Sequence, residues 1–278
     1  MTTRFAQIVM GPAGSGKSTY IKRMLDHFEV TKRNVHAINL DPAADELFYS
    51  PTIDIREAIS VKEVMDEQGF GPNGGLIYCM ETIVEDHDWF NEVIGEHDYD
   101  YLLIDLPGQI ELFSHLNILP RLFKTLIDKE YNLCGVFLLD SQFMIDPSKF
   151  LSGALVAISS TTMLEIPHVN LLSKCDLLSD EQKETLDDFC DMNVSTLCGL
   201  VKKDGALGKL TSKICELIDD FNLLQFIPFD PLNPDIVIQT LAQIDLILQY
   251  YENAEISSSD DENDENSDNQ EEKAEEIV

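Results

Sequence analysis

Residues 11–19, with the sequence GPAGSGKST, constrain the fold of this chain more than any other segment. They fit the pattern G-x-x-x-x-G-K-[ST] and lie between an apolar, strand-like run and a segment of helical periodicity. In that setting, backbone N–H groups and the positive end of a helix face a bound anion. We therefore predict a strand–loop–helix unit that binds phosphate groups. Its phosphate-binding residues are expected to be Gly14, Ser15, Gly16, Lys17, Ser18 and Thr19.

Short apolar, β-branched runs alternate with longer periodic segments along the chain, which predicts an α/β fold with a mostly parallel sheet flanked by helices. The predicted strands are residues 5–10, 35–40, 101–105, 133–140, 169–173 and 224–228. The predicted helices are residues 17–29, 75–95, 111–129, 148–164, 179–190, 207–221 and 234–251. Residues 40–74 break the alternation, and we interpret them as a partly helical insertion of the kind that carries specific functions. With the phosphate loop, this is the fold of the P-loop NTPases.

The end of the chain differs from the rest in composition. Residues 252–278 contain 12 acidic residues and one lysine, which is −11 of the total charge of −32 and leaves −21 for residues 1–251. A segment with so few apolar side chains cannot bury enough surface to offset the entropy of ordering. We predict one folded domain over residues 1–251 and a disordered acidic tail over residues 252–278.

Charge and cysteine spacing exclude several classes of function. The 19 Lys and Arg residues form no run longer than two, which argues against direct nucleic-acid binding and favours protein partners. No stretch approaches the roughly 18 apolar residues of a membrane span, so we expect no membrane insertion. The six cysteines include no C-x-x-C pair, which predicts reduced thiols in a cytosolic protein and no zinc site.

A second motif, YLLIDLPGQIEL, occupies residues 101–112. Its apolar run ends in Asp105, where the predicted strand has its carboxyl end and where ligands collect in open α/β sheets. We predict that Asp105 and the Ser18 hydroxyl hold Mg²⁺. Gln109 and Glu111 follow, and an amide with a carboxylate can orient and polarise an attacking water. The predicted catalytic residues are thus Asp105, Gln109 and Glu111; the alternative for the last two is an ordinary helix N-terminal turn.

Base choice is indicated by the segment LLSKCDLL, residues 171–178. It is similar to the element N/T-K-x-D, whose aspartate accepts from two N–H donors on one edge of guanine; adenine offers no such pair. Lys174 and Asp176 match, whereas Ser173 stands where Asn or Thr is usual. We predict Ser173, Lys174 and Asp176 as guanine-binding residues, with Pro228 and Phe229 as further candidates after the last strand.

A second glycine-rich stretch, FGPNGGLIYC, occupies residues 70–79. Taken alone, it is a turn that starts a helix with Asn73 as the cap. Pro72 restricts the backbone of this stretch, and its glycines permit close approach of another group. The neutral Asn73 amide can donate without the desolvation cost of a buried lysine.

Six motifs in this order, GPAGSGKST, NLDPAA, GPN, DLPGQIEL, SKCD and FIP, resemble the GPN-loop GTPase family over residues 4–251, with details closest to its third eukaryotic paralogue. The resemblance implies a dimer that hydrolyses GTP with Mg²⁺, pairs with itself or with the first paralogue, and binds RNA polymerase II subunits. It also implies a cytoplasmic protein that shuttles to the nucleus and assists polymerase assembly and import. Asp41 would lie near Mg²⁺, and the GPN loop, Gly71, Pro72 and Asn73, would reach the partner's γ-phosphate, which makes Asn73 a further catalytic residue.

Three alternatives belong to other classes. Dimeric Min-type ATPases place a trans-acting lysine after the first glycine of the phosphate loop, and this position is Pro12 here. A small-molecule kinase would need an arginine-rich lid, for which this chain offers few arginines. A GTP-dependent protein-binding scaffold with negligible hydrolysis is compatible with the same motifs.

Overall fold

A seven-stranded parallel sheet forms the centre of the computed structural model, which describes residues 4–86, 89, 93–94, 100–145, 147–183, 186, 205–221 and 224–252. The strands are β1 (Arg4–Met10), β2 (His36–Asn39), β3 (Ile53–Asp54), β4 (Tyr101–Asp105), β5 (Tyr131–Asp140), β6 (His168–Ser173) and β7 (Phe226–Pro228). Their order in the sheet is β3-β2-β4-β1-β5-β6-β7, and every neighbouring pair is parallel. The predicted α/β fold with a helical insertion is confirmed.

Helices connect the strands and cover the sheet. They are α1 (Lys17–Thr31), α2 (Val61–Gln68), α3 (Pro72–Glu85), α4 (Ile110–Ser114), α5 (Ile118–Asp128), α6 (Pro147–Leu164), α7 (Gly205–Phe221) and α8 (Pro234–Leu248). Short 3-10 turns occupy Ile55–Glu57, Ser141–Ile145 and Cys175–Leu177. None of the described helices has an apolar stretch long enough to cross a membrane.

The core lies on both faces of the sheet because side chains alternate along each strand. On β1, Ala6, Ile8 and Met10 join one buried cluster, which also contains side chains of α2, α3, α5 and α6. Phe5 and Val9 join the opposite cluster, with side chains of α1 and α8. A parallel sheet covered on both faces leaves its carboxyl edge as the place where loops can build a site.

The insertion after β2 is a hairpin of two helices that carries the GPN loop at its bend. Gly69 ends α2 with a φ of 71°, a left-handed conformation that glycine adopts at low cost. A Cβ at Gly75 would lie 3.3 Å from both Met65 and Val61, so the two helices pack closely at that point. The insertion predicted for residues 40–74 is therefore present, and its second helix extends beyond it to Glu85.

The sequence-based prediction was wrong in several local details. The single helix predicted over residues 111–129 is two helices, α4 and α5, because Pro120 lacks a donor N–H and is tolerated only in a first helical turn. Strand β3 was missed, and the helix predicted over residues 75–95 ends at Glu85. Much of the helix predicted over residues 179–190, and residues 253–278 of the tail, lie outside the described residues.

The cysteines agree only partly with the predicted reduced state. Cys79, Cys134 and Cys175 are buried free thiols. Cys215 on α7 is disulfide-bonded, which contradicts the prediction for this residue.

Candidate active site

The carboxyl ends of the strands meet along one edge of the sheet. Asp105 at the end of β4 lies in register with Val9 of β1 and with Asn39 of β2, and Asp140 of β5 lies in register with Ser173 of β6. The phosphate loop follows β1 at the same edge. The topology thus brings together motifs that lie more than 160 residues apart in the chain, from Gly11 to Asp176.

The phosphate loop has the backbone that its glycines predict. Gly11, Gly14 and Gly16 all have positive φ angles, of 145°, 75° and 90°. Gly11 also has no room for a side chain, because a Cβ there would collide with the carbonyl oxygen of Leu138. Gly16 is the residue immediately before α1, so the first N–H groups of that helix open onto the loop. Such a loop can hold phosphate through main-chain donors.

Lys17 is the cation of the loop. Its Nζ donates to the carbonyl oxygens of Gly11, at 3.2 Å, and Pro12, at 3.5 Å. Burial lowers the pKa of Lys17, while the negative charges of Asp105 and Asp41 oppose that effect. The ammonium therefore lies close enough to both predicted metal-binding carboxylates to interact with them electrostatically.

Asp105 is almost completely buried, with 2% of its surface exposed. Its Oδ2 accepts hydrogen bonds from the Ser18 hydroxyl, at 3.2 Å, and the Tyr49 hydroxyl, at 3.0 Å. Burial raises the pKa of Asp105 to about 6, and the opposing effects of Lys17 and the two hydroxyls are smaller. Its Oδ1 is buried without a hydrogen-bond partner. An unpartnered carboxylate oxygen beside a serine hydroxyl is the donor set that Mg²⁺ prefers, so the residues present fit this metal.

Asp41 follows β2 and lies in a tightly bonded turn. Its Oδ1 accepts from the N–H of Ala43 at 2.9 Å, and its own N–H donates to Asn39 Oδ1 at 3.0 Å. Burial raises the pKa of Asp41, whereas the Ala43 N–H and Lys17 lower it. Lys17 therefore interacts electrostatically with both Asp41 and Asp105, and the assignment of Asp41 to the metal site stays a prediction.

A clamp of polar side chains fixes the segment after Asp41. Arg56 donates through Nε to Asp54 Oδ1 at 2.9 Å and through a terminal nitrogen to the carbonyl of Ala44, also at 2.9 Å. Asn39 donates to the same Asp54 oxygen at 2.9 Å. These contacts tie the loop to strands β2 and β3. Sequence reasoning missed them because the partners come from separate short elements.

The loop after β4 packs on the phosphate loop. A Cβ at Gly108 would lie 2.7 Å from the Cα of Ala13, so only glycine allows this approach. Gln109 is the N-cap residue of α4, but its side chain makes no capping hydrogen bond, and its buried Oε1 has no partner among the described residues. Glu111 lies exposed in the first turn of α4, and its side chain forms no hydrogen bond within the described residues. Both stay predictions as catalytic residues, with the contact geometry favouring Gln109.

Ser173 has a different role from the one predicted. It is 3% exposed, and its hydroxyl donates to the Ser15 carbonyl at 2.6 Å, with the Leu139 carbonyl at 3.2 Å. A hydroxyl has one donor hydrogen, and here it is used by the backbone. Ser173 therefore supports the phosphate loop from the base-reading segment instead of offering this donor to a base.

The assignment of Lys174 and Asp176 to the guanine-binding site stays a prediction. Lys174 has a φ of 60°, and its Nζ forms an ion pair with Asp140 Oδ2 at 2.8 Å. This contact fixes the end of the Lys174 side chain. Asp176 is half-buried, and its carboxylate has no hydrogen-bond partner among the described residues. It can therefore accept from a ligand.

The two guanine-binding candidates at the last strand, Pro228 and Phe229, lie in different environments. Pro228 is half-buried at the end of β7, in register with Leu172 two residues before Lys174. Phe229 is 2% exposed and packs against Tyr20, with ring centroids 5.2 Å apart. Phe229 is therefore a core residue, and its suggested contact with a base is wrong.

The GPN loop faces solvent within the single subunit. Gly71, Pro72 and Asn73 are all exposed, and Pro72 is the first residue of α3. The N-cap of α3 is Gly71, without a side-chain cap hydrogen bond, so the interpretation of Asn73 as the cap is wrong. The Asn73 amide has no hydrogen-bond partner in the described part of the chain. Phe70 beside it is 43% exposed.

Tyr49 is the residue of the site that the sequence most clearly failed to reveal. It lies 56 residues from Asp105 in the chain. No local spacing or motif marks it as a partner of that carboxylate.

Comparison with known proteins gives a consistent result. A sequence-family profile described as "Conserved hypothetical ATP binding protein" matches residues 9–250. GPN-loop GTPase 3 of Danio rerio is 45% identical over 258 residues, which cover 91% of this chain and 90% of that protein. GPN-loop GTPase 3 of Schizosaccharomyces pombe is 43% identical, covering 92% of this chain and 95% of its own length. The crystal structure of a GTPase in apo form from Pyrococcus abyssi superposes with a TM-score of 0.73 at 25% identity, covering 86% of this chain and 96% of that one.

Proposed function

Because this chain belongs to the GPN-loop GTPase family and is a GTP hydrolase, we propose that it acts as a dimer whose GPN loops complete the active sites across the interface. We further propose that hydrolysis requires Mg²⁺ and serves the assembly and nuclear import of RNA polymerase II. The observation that carries the proposal is the exposed GPN loop, whose Asn73 amide has no hydrogen-bond partner among the described residues of the subunit.

The phosphate end of the site supports this reaction. Main-chain donors of the glycine-rich loop and the Lys17 ammonium would bind the phosphates, and the Ser18 hydroxyl with Asp105 would hold Mg²⁺. Asp41 is the third proposed metal-site residue. When bound, Mg²⁺ supplies positive charge that stabilises the phosphates as negative charge develops. Gln109 directly follows Gly108, which packs on the phosphate loop. Its buried Oε1 has no hydrogen-bond partner among the described residues and can orient an attacking water.

The base end of the site supports guanine. The matching family profile is described as ATP-binding, but the named relatives are GTPases. The side chains at the base end of the site favour guanine, for the following reasons. The unpartnered Asp176 carboxylate can accept from the two N–H donors of guanine, and adenine has no equivalent donor pair. Asp140 holds the Lys174 ammonium, the apolar stem of Lys174 would pack along the base, and Ser173 connects this segment to the phosphate loop.

The subunit by itself lacks a second cation at the phosphate loop. The position that carries a trans-acting lysine in dimeric Min-type ATPases is Pro12 here, and Lys17 is the one loop cation among the described residues. A neutral Asn73 amide from the partner would supply a donor aimed at the γ-phosphate. Preorganised donors of this type contribute about 10²–10³ in rate.

The partner in the dimer would be a second copy of this chain or a paralogue, with the first paralogue favoured by the family resemblance. RNA polymerase II subunits are the proposed clients, and the protein would be cytoplasmic with passage to the nucleus. Co-purification from native cells with a GPN-loop paralogue and with polymerase subunits would support this part, and a chain recovered without either would contradict it.

The enzymatic part is tested by Asn73→Ala, because this change removes the proposed donor and leaves the nucleotide-binding groups of its own subunit intact. We expect nearly unchanged GTP affinity and single-turnover hydrolysis reduced about 10²-fold or more. Gln68→Ala is the matched control, since it truncates another exposed carboxamide of the same helical hairpin. Normal hydrolysis by a folded Asn73→Ala dimer would contradict the proposal.

A further inference from the structure

We propose that Tyr49 is a positioning residue for the metal site: its hydroxyl holds Oδ2 of Asp105 and thereby directs Oδ1 toward Mg²⁺. This inference rests on the proposed Mg²⁺-dependent function and names a residue that none of the motifs contains. Tyr49 would not touch nucleotide or metal itself, so it acts only through Asp105.

The contact geometry supports this role. The Tyr49 hydroxyl donates to Asp105 Oδ2 at 3.0 Å, and both side chains are buried, with 8% and 2% of their surfaces exposed. Ser18 donates to the same oxygen at 3.2 Å. Two donors on Oδ2 leave Oδ1 as the oxygen without a partner, although it is also buried. A buried carboxylate oxygen that has no hydrogen-bond partner is expected to bind a ligand.

The ring of Tyr49 is fixed by the hydrophobic core. It belongs to the buried cluster that includes Tyr20 and Met24 of α1 and Ala37 of β2. The hydroxyl therefore reaches Asp105 from a packed position, and its hydrogen bond restricts the rotation of the carboxylate. Hydrogen bonds that orient a metal-binding side chain in this way commonly change metal affinity by about 10- to 100-fold.

Tyr49 also connects two parts of the proposed metal site. It lies eight residues after Asp41, in the segment that Arg56 clamps through the carbonyl of Ala44. Its hydrogen bond ties that segment to the end of β4. Loss of the hydroxyl would therefore loosen both the orientation of Asp105 and its alignment with Asp41.

The test is Tyr49→Phe in the full chain, because the change removes the hydroxyl and keeps the ring. The readout is the affinity for a fluorescent GDP analogue in EDTA and along a Mg²⁺ titration, which does not depend on turnover. We expect the Mg²⁺ concentration for half-saturation to rise about tenfold or more, with affinity in EDTA changed less than about twofold.

Tyr101→Phe is the matched control. Tyr101 is a buried tyrosine of the same cluster, and its hydroxyl accepts a hydrogen bond from Gln7 at 2.7 Å. The contacts described for Tyr101 do not include the metal-site residues. We expect its Mg²⁺ requirement to equal that of the parent. Thermal unfolding of both variants checks that they are folded.

The outcomes distinguish a failure of the proposed function from a failure of the role inferred for Tyr49. A parent chain whose nucleotide affinity does not respond to Mg²⁺ contradicts the proposed function and, with it, the inference. If the parent responds and Tyr49→Phe has the same or a lower Mg²⁺ requirement, the inference alone is wrong. Equal losses of affinity in EDTA and in Mg²⁺ would show a general structural role and would also overturn it.

Discussion

Four residues of the site each have a polar side-chain atom with no hydrogen-bond partner among the described residues. Oδ1 of Asp105 and Oε1 of Gln109 are buried and unpartnered, and the carboxylate of Asp176 and the amide of Asn73 also lack partners in the described structure. Unmade hydrogen bonds of buried groups cost free energy, so they mark positions where a ligand or a partner is expected. In this protein the DLPGQIEL motif contributes two of these unpartnered groups, and the guanine-reading segment and the GPN loop contribute one each.

Asp176 gives the sharpest residue-scale prediction. If its carboxylate accepts two N–H bonds from guanine, Asp176→Asn should weaken GTP binding by at least about 2 kcal/mol, because one donor then faces another. Competition binding against a labelled guanine nucleotide measures the loss.

Xanthosine triphosphate is the control ligand for Asp176→Asn. Xanthine carries a carbonyl where guanine carries its exocyclic amine, so the new amide can donate to it and affinity for this nucleotide should rise. A variant that binds GTP as well as the parent, or a parent that prefers ATP, would show that Asp176 does not read the base.

At the scale of elements, the α2–α3 hairpin decides where the GPN loop lies. The hairpin depends on close contact at Gly75, whose missing Cβ leaves room for Met65 and Val61. The loop itself is short, so its position follows from how the two helices pack. A change in this packing should therefore alter both stability and the placement of Asn73.

Two neighbouring glycines provide a paired test of the hairpin. Gly75→Val should lower the free energy of unfolding by about 1–3 kcal/mol, because the side chain must displace Met65 and Val61. At Gly74 a Cβ would lie 3.7 Å from Phe70, an ordinary contact. Gly74→Ala should leave stability unchanged or raise it by up to about 1 kcal/mol. Urea denaturation distinguishes these results, and equal effects of both changes would contradict the packing described here.

Prediction from sequence succeeded for elements whose signals are local and failed where contacts are distant. The phosphate loop carries its own glycines at fixed spacing, and the strands after it show continuous apolar runs, so both were predicted correctly. The two-residue strand β3 has no pattern of its own, since it exists only through pairing with β2. The Tyr49–Asp105 hydrogen bond and the hydrogen bond from the Ser173 hydroxyl to the Ser15 carbonyl both arise from tertiary packing. Residue spacing in the sequence does not predict such contacts.

At the scale of the whole molecule, the sheet is covered by helices on both faces, and its carboxyl edge carries the site. The described chain continues past α8 to residue 252, and none of the contacts described for the site involves a residue beyond it. The residues that follow contain 11 acidic side chains and one lysine, a net charge of −10 out of the total of −32.

Deletion of residues 253–278 should therefore leave nucleotide affinity and thermal stability nearly unchanged, because no described contact is lost. Thermal unfolding and fluorescent-nucleotide binding of the shortened chain, compared with the full chain, measure this. A large fall in melting temperature would mean that the folded domain extends beyond residue 252.

The completion of each site by the partner subunit is tested most directly by a dimer with complementary defects. One copy of this chain carries Lys17→Ala, which removes the cation of its own phosphate loop. The second copy carries Asn73→Ala, which removes the asparagine of the GPN loop. Each variant alone should be inactive, but the mixed dimer retains one site with an intact phosphate loop that receives Asn73 from the Lys17→Ala subunit. We predict that GTP hydrolysis is restored on mixing. Mixed dimers that form and remain inactive would contradict the account.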